Sequence, residues 1–248
     1  MPGLEPRDSR EGRTYTWGDE SFWSVTTVLK ALNKPALPSW SAKMVAEYVA
    51  ENFSFIQDMM IDGKKDEAIG AMKGAPWRTK TKAADLGTLV HQAVEAYCMG
   101  VEQLPGLETE AHVQHFARWL EAFKPKIIES EVTVFNRRYN YAGTLDLLVE
   151  LDPNIWVIDV KSGSGVYPEF AMQVAAYAHG EFIGRQDGSE DKMPEVTRGA
   201  VLHLRPNGYK FIPVDISDPV YRSFLHCREL FRFVEEIGPH VIMGEVRK

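Results

Sequence analysis

Apolar and polar residues alternate with a helical period through the first half of the chain and with a strand period through much of the second. Residues 24–32 begin Ser-Val-Thr-Thr-Val-Leu and predict a short helix with Ser24 at its N-cap. Pro35 and Pro38 break it. Residues 39–53 predict a second helix, with Trp40, Val45, Tyr48 and Val49 near one face. Residues 55–72 continue the helical pattern until Gly74 and Pro76 interrupt it. A further helix is predicted over 80–97, closed by Gly100 as a C′ glycine, and another over 108–123, stopped by Pro125. Residues 1–13 are polar and charged and read as a mobile tail.

From residue 127 the repeat shortens to two. Residues 127–135 and 141–151 predict strands around the turn candidate 136–140. The turn signal Asp152-Pro153-Asn154 separates the second from a third strand over 155–161, which is apolar enough on both faces to be central. Small residues 162–165 form a loop, residues 169–183 predict a helix, and 185–195 read as a polar, mobile loop. Strands over 198–205 and 209–216 are joined by Pro206-Asn207-Gly208, a hairpin signal. Asp218 caps a last helix reaching about residue 237. This order predicts an α/β or α+β fold with a central mixed sheet flanked by helices and a helical N-terminal portion. Residues 1–80 are expected to form the tail and helical region, and residues 81–248 the core.

Composition narrows the function classes. A chain of 248 residues with 44% hydrophobic and 25% charged residues is an ordinary globular one. No apolar run is long enough for a membrane span, and the N-terminus lacks the apolar core of a signal peptide, so a cytoplasmic protein is expected. Cys98 and Cys227, each inside a helical pattern, exclude a four-cysteine cluster and read as reduced core residues. A net charge of −7 argues against a general nucleic-acid binder, but residues 64–82 gather Lys64, Lys65, Lys73, Arg78, Lys80 and Lys82 against Asp66 and Glu67. An acidic metal site would also contribute negative charge that bound cations offset.

The chemistry concentrates in Tyr141-Ala-Gly-Thr-Leu-Asp146 and, thirteen residues after Asp146, Asp159-Val160-Lys161. Residues two apart on a strand share a face, so Asp159 and Lys161 point the same way. The short turn at 152–154 brings Asp146 opposite Asp159 or nearly so, with the register open by a residue or two. Facing carboxylates repel unless a proton or a metal intervenes, and a hard divalent cation suits oxygen ligands. On pattern alone, an Asp on a strand is usually a bulge or edge residue and a Lys at a strand end usually reaches water. The setting favours a site, because Ile155-Trp-Val-Ile-Asp-Val-Lys161 places an acid and a base in a segment that otherwise reads as buried.

These residues, with others in order, resemble the PD-(D/E)XK nuclease superfamily in its RecB-like exonuclease branch. The helix motif Gly-Thr-x-x-His reads Gly87-Thr-Leu-Val-His91, and Gly-Thr-x-Asp reads Gly143-Thr-Leu-Asp146. The (D/E)-x-K motif reads Asp159-Val160-Lys161, and Gln-x-x-x-Tyr reads Gln173-Val-Ala-Ala-Tyr177. Glu131 matches a glutamate that often precedes the strand motif, and together these elements span roughly residues 83–180. Two features depart from the pattern: Thr144-Leu145 stand where the superfamily's proline would be, and the second acid is Asp159 rather than glutamate.

The resemblance implies a restriction-endonuclease-like core and a Mg²⁺-dependent deoxyribonuclease, with Mn²⁺ as a substitute cation. His91, Asp146, Asp159 and the Val160 carbonyl would hold the metal, and Lys161 would be the catalytic lysine. Glu131 would orient Lys161 or a water, and Gln173 and Tyr177 would support the site or contact DNA. Arg78, Lys80 and Lys82 are the candidate phosphate contacts. By helical pattern alone, however, His91 one turn before Glu95 is a solvated residue, and Gln173 and Tyr177 simply share a face packed on the sheet. The branch implies an exonuclease working in recombination, repair or phage DNA processing. A junction-type endonuclease on the same fold and an inactive DNA-binding copy are the alternatives. Besides DNA, a second copy of the chain or a recombination or repair protein is the partner such a setting implies. No Gly-rich phosphate loop accompanies the set, so a fused motor is not expected.

Overall fold

The strands expected from the period-two segments form, and further strands join them. The computed structural model describes residues 7–8, 12–101, 108–242 and 244. Its strands are β1 Arg7–Asp8, β2 Arg13–Trp17, β3 Glu20–Ser24, β4 Lys126–Asn136, β5 Tyr141–Leu151, β6 Asn154–Lys161, β7 Phe182–Gly184, β8 Glu190–Lys192, β9 Arg198–Arg205 and β10 Gly208–Val214. Its helices are α1 Val25–Val28, continued by a 3₁₀ turn at Leu29–Ala31, α2 Ala36–Glu51, α3 Phe53–Ile61, α4 Lys65–Lys73, α5 Ala75–Cys98, α6 Glu110–Phe123, α7 Glu169–Ala178 and α8 Asp218–Arg232. A π-helical turn at Phe233–Ile237 and α9 Gly238–Val241 follow. Among the described residues no helix is long and apolar enough to cross a membrane.

The chain divides into two units, Met1–Leu32 with Val90–Lys248, and Asn33–Leu89. The larger is α/β, built on a mixed sheet of ten strands among the described residues. At its centre β5 is antiparallel to β4 on one edge; its other edge carries β3, parallel at Tyr141 and Ala142, then β6, antiparallel from Leu147 to Leu151. Parallel β9 extends the sheet beyond β6, and β10 beyond β9. Residues 141–149 are buried almost without alternation, as expected of a strand covered on both faces. One cluster joins Tyr141, Leu145 and Leu148 to α1, α7 and α8 through Val25, Val28, Val174, Tyr177 and Phe224. A second gathers Tyr15, Trp17, Phe22, Phe135, Ala142 and Phe182. Helix α6 lays Phe116 and Trp119 inward, and Trp119 meets Phe211 of β10 with ring centroids 5.6 Å apart.

The smaller unit contains only helices among its described residues, with Ile56, Ala68 and Ala75 buried. Gly74 and Pro76 do interrupt the helical pattern there, but α5 begins at Ala75, because proline is tolerated in a first turn where no N–H is needed. Helix α5 ends as a Schellman motif: Gly100 at φ 66° donates to the Tyr97 carbonyl and Val101 to that of Ala96.

Three expectations are corrected. Residues 1–6 and 9–11 of the expected tail lie outside the described residues, but Arg13–Trp17 is a strand paired with Glu20–Ser24. The boundary at 80/81 moves accordingly, since β3 reaches the central strand and the separate helical unit covers Asn33–Leu89. The helix expected over 169–183 stops at Ala178; Phe182–Gly184 turns into a strand beside β4, and Glu190–Lys192, expected in a loop, pairs with it. Glu181 caps the switch, its N–H bound to the Phe135 carbonyl at 2.7 Å and its carboxylate taking the Arg137 N–H at 2.9 Å.

Candidate active site

The ladder between β5 and β6 pairs Leu147 with Ile158, and one step further the same register sets Asp146 opposite Asp159. Among the described residues, 143–146 have no strand partner on that edge, because β3 pairs only as far as Ala142 and β6 only from Leu147. The Val160 N–H faces this gap and donates to Asp146 Oδ2 at 2.5 Å. In an extended strand the carbonyl of a residue leaves the same edge as its N–H, so the Val160 carbonyl also borders the gap. Asp146 is 8% and Asp159 1% exposed. Burying carboxylates this deeply is costly without compensating charge.

The compensation comes from elements around the gap. Helix α5 brings His91, whose Nδ1 lies 3.2 Å from Asp146 Oδ1 and 3.4 Å from Glu131 Oε1 of β4. Lys161, two residues beyond Asp159 on the same face, forms an ion pair at 2.6 Å with Asp159 Oδ2. Its ammonium also stands 5.1 Å from the centroid of the Phe170 ring. The second oxygen, Asp159 Oδ1, accepts from Gln173 Nε2 at 2.8 Å, and that amide also donates to Tyr177 Oη at 3.1 Å. His91, Glu131 and Lys161 keep between a fifth and a third of their side-chain surface exposed, so the buried aspartates open to solvent through them.

Charge sets the protonation states. Burial pushes Asp146 up, but the His91 and Lys161 charges and the Val160 N–H outweigh it and hold the group below the usual carboxylate range. Asp159 is pushed up to about 6, chiefly by burial and then by Asp146, against the pull of Lys161. The Asp146 charge drives His91 up to about 11 despite burial. Burial would lower Lys161, yet Asp159 and Asp146 raise it. Burial also raises Glu131. Among the protein groups, His91 and Lys161 supply the positive charge that lets these carboxylates cluster.

A divalent cation fits the donor set. Ligand atoms of His91, Glu131 and Asp146 all lie within 4.8 Å of one another, with one nitrogen and two carboxylate oxygens converging. Hard cations favour such oxygen-rich sets, and a ligating imidazole must be neutral, so a cation would take the place of the His91 proton. Glu131 adopts φ 49°, a left-handed conformation that costs a non-glycine residue on the order of 1 kcal/mol. It stands opposite Asp146 in the continued register of β4 and β5.

The expected residues come together around the gap between β5 and β6. His91, Asp146, Asp159, Val160, Lys161, Glu131, Gln173 and Tyr177 all border the gap or hold a residue that does. Asp159 is not one of the three grouped donors; it faces Lys161 and Gln173. Glu131, expected to orient Lys161 or a water, instead shares His91 with Asp146. Gln173 and Tyr177 are 7% and 3% exposed, and they reach the site through Asp159 and each other. Arg78 is occupied within the smaller unit, donating to the Ala71 carbonyl at 2.8 Å with its guanidinium 4.7 Å from the Tyr48 ring centroid. Lys80 sits 5.5 Å from the Trp77 ring centroid, and Lys82 is exposed.

Sequence reasoning missed Gly143 as a structural part of the site. A Cβ there would stand 2.6 Å from Tyr177 Cε1, so only glycine lets α7 bring Gln173 down to Asp159. Tyr15 was also missed; its hydroxyl accepts the Thr144 N–H at 3.2 Å, satisfying backbone in the gap. No spacing signal links β2 to β5. No family model matches this chain, and a search of curated proteins returns no match.

Proposed function

We propose that this chain is a divalent-cation-dependent deoxyribonuclease of the RecB-like PD-(D/E)XK type, acting as an exonuclease on DNA. The observation that carries this reading is the convergence of His91, Glu131, Asp146, Asp159 and Lys161 on one gap between β5 and β6. Those five residues stand on four elements, and all five are buried or half-buried acids and bases with little reason to cluster for stability.

Phosphodiester hydrolysis adds water across a P–O bond and yields a phosphate monoester and an alcohol. His91, Glu131 and Asp146 would hold Mg²⁺, or Mn²⁺ in its place, with the Val160 carbonyl beside them. The ion would supply Lewis acidity toward a phosphate oxygen and toward water. Lys161 is placed to donate hydrogen bonds to a phosphate oxygen or to the attacking water as negative charge grows on the phosphoryl group. Asp159 fixes the Lys161 ammonium, and Gln173 fixes Asp159 by occupying Oδ1. Tyr177 holds the Gln173 amide in that orientation.

The test is incubation with Mg²⁺ or Mn²⁺ and end-labelled linear single- and double-stranded DNA beside closed circular DNA. Release of mononucleotides or short fragments from linear DNA, with circles intact and chelator abolishing the reaction, is expected. Circles degraded as fast as linear DNA would replace the exonuclease reading with an endonuclease. No cleavage under any of these conditions would remove the nuclease reading.

A further inference from the structure

Lys161 is joined to the surface through a pair of aromatic rings that the hydrolytic machinery does not use. The Phe170 ring lies beneath the Lys161 ammonium at 5.1 Å, and Tyr167 meets Phe170 edge to face, with centroids 5.7 Å apart and planes at 80°. Tyr167 is 49% exposed, although its ring partner Phe170 faces the Lys161 ammonium that pairs with buried Asp159. Its position is built. A Cβ on Gly165 would lie 3.3 Å from the Tyr167 Cζ and Oη atoms, so the loop backbone passes directly against the phenol. Ser164 Oγ lies 3.5 Å from the same hydroxyl.

The loop that carries these contacts is itself pinned. Arg205 Nη1 donates to the carbonyls of Ser162 at 2.8 Å and Gly163 at 2.7 Å. His203 Nε2 donates to the Gly163 carbonyl at 2.7 Å. Both donors come from β9, the strand that runs parallel to β6 and pairs His203 with Lys161. The segment leaving Lys161 is therefore held by the sheet, and the aromatic pair stands at a fixed place beside the ammonium.

We propose that Tyr167, backed by Phe170, is a stacking platform for an unpaired nucleobase of the strand whose phosphate lies at Lys161. The site would then take single-stranded DNA. This rests on the deoxyribonuclease reading. An aromatic side chain gains from a base only when a face of that base is free, and in a duplex both faces are already stacked. A cation on one side of the pair and a solvent-facing ring on the other match the alternation of phosphate and base along a single strand. Stacking tolerates any base, which suits an enzyme that degrades DNA without regard to sequence.

The test is binding without cleavage. Affinities of fluorescent oligothymidylate and of an abasic oligomer of equal length are measured by anisotropy, with Ca²⁺ in place of Mg²⁺, for the wild type, Tyr167→Ala and Tyr167→Phe. The wild type is expected to prefer the base-bearing strand by roughly 5- to 150-fold, the size of one base–aromatic stack. Tyr167→Ala is expected to bring that ratio close to one by weakening oligothymidylate alone, and Tyr167→Phe to keep it. Equal binding of the two oligomers by the wild type, an unchanged ratio in Tyr167→Ala, or no binding of either would overturn the proposal. Cleavage in Mg²⁺ is read separately. Cleavage without a base preference removes the platform and leaves the nuclease. A base preference without cleavage removes the nuclease and leaves a base-binding surface.

Discussion

Gly143→Ala tests the support of the site at its tightest point. Gly143 stands in β5 opposite Val134, three residues before Asp146. The added Cβ would meet Tyr177 Cε1 at 2.6 Å and its Cζ and Oη at 3.4 Å. Carbon contacts settle near 3.5–4.0 Å, so the ring must retreat by roughly 1 Å. Tyr177 is buried, and its hydroxyl is held by the Gln173 amide that also holds Asp159. Overpacking of this kind costs about 1–3 kcal/mol. In a chain of this length that corresponds to roughly 2–12 °C in Tm. A displacement of about 1 Å passed on to Asp159 would lower cleavage by roughly 100-fold. Thermal melting and Mg²⁺-dependent cleavage read the two effects. In a Tyr177→Ala background, Gly143→Ala should cost little further, because the ring it strikes is gone. A variant that melts and cleaves like the wild type would refute the close approach, and an equal cost in both backgrounds would refute its route through Tyr177.

Other consequences are as direct. Gln173→Ala should lower cleavage by roughly 10- to 100-fold, the usual cost of losing a residue that orients a catalytic group, while DNA binding in Ca²⁺ stays within about twofold of wild type; unchanged cleavage would detach Gln173 from Asp159. Tyr141→Phe removes a buried hydroxyl that donates to the Ala176 carbonyl at 3.0 Å and meets Tyr221 Oη at 3.0 Å, and should lower unfolding free energy in urea by about 1–2 kcal/mol. A loss below about 0.3 kcal/mol would mean that the pair of hydroxyls is not worth a net hydrogen bond. Saturating Mg²⁺ should raise the Tm of the wild type, by an amount equivalent to about 2.7 kcal/mol at 100 times Kd, and leave Asp146→Ala unmoved. A shift of equal size in Asp146→Ala would place the ion elsewhere.

Much of the larger unit's sheet was legible because its strands obey local rules. The turn at 152–154 follows the end of β5 at once, so counting back from it set Asp146 against Asp159, and the observed ladder, continued one step past Leu147 and Ile158, falls within the window left open. Asp159 and Lys161 share a face by the two-residue period alone, and they do form an ion pair. What failed was non-local. Strands β2 and β3 are short, and only pairing with β5 through Trp23 and Ser24 commits them to the sheet. Phe182–Gly184 continues the apolar pattern of α7, but its edge partners in β4 override that pattern. In the site, the place of Glu131 beside His91 depends on a left-handed residue within β4, which no periodicity announces. The burial of Gln173 and Tyr177 likewise depends on the absence of a side chain at Gly143, thirty residues before Gln173.

The most direct measurement pairs metal binding with chemistry. Mn²⁺ binding is followed by electron paramagnetic resonance, and cleavage of linear DNA by gel, for the wild type, Asp146→Asn and Lys161→Ala. Wild type should bind Mn²⁺ and cleave. Asp146→Asn should lose both, and Lys161→Ala should bind the ion yet cleave at least about 100-fold more slowly. Undiminished Mn²⁺ binding in Asp146→Asn, or full cleavage by Lys161→Ala, would contradict a shared cation and lysine site in the gap between β5 and β6.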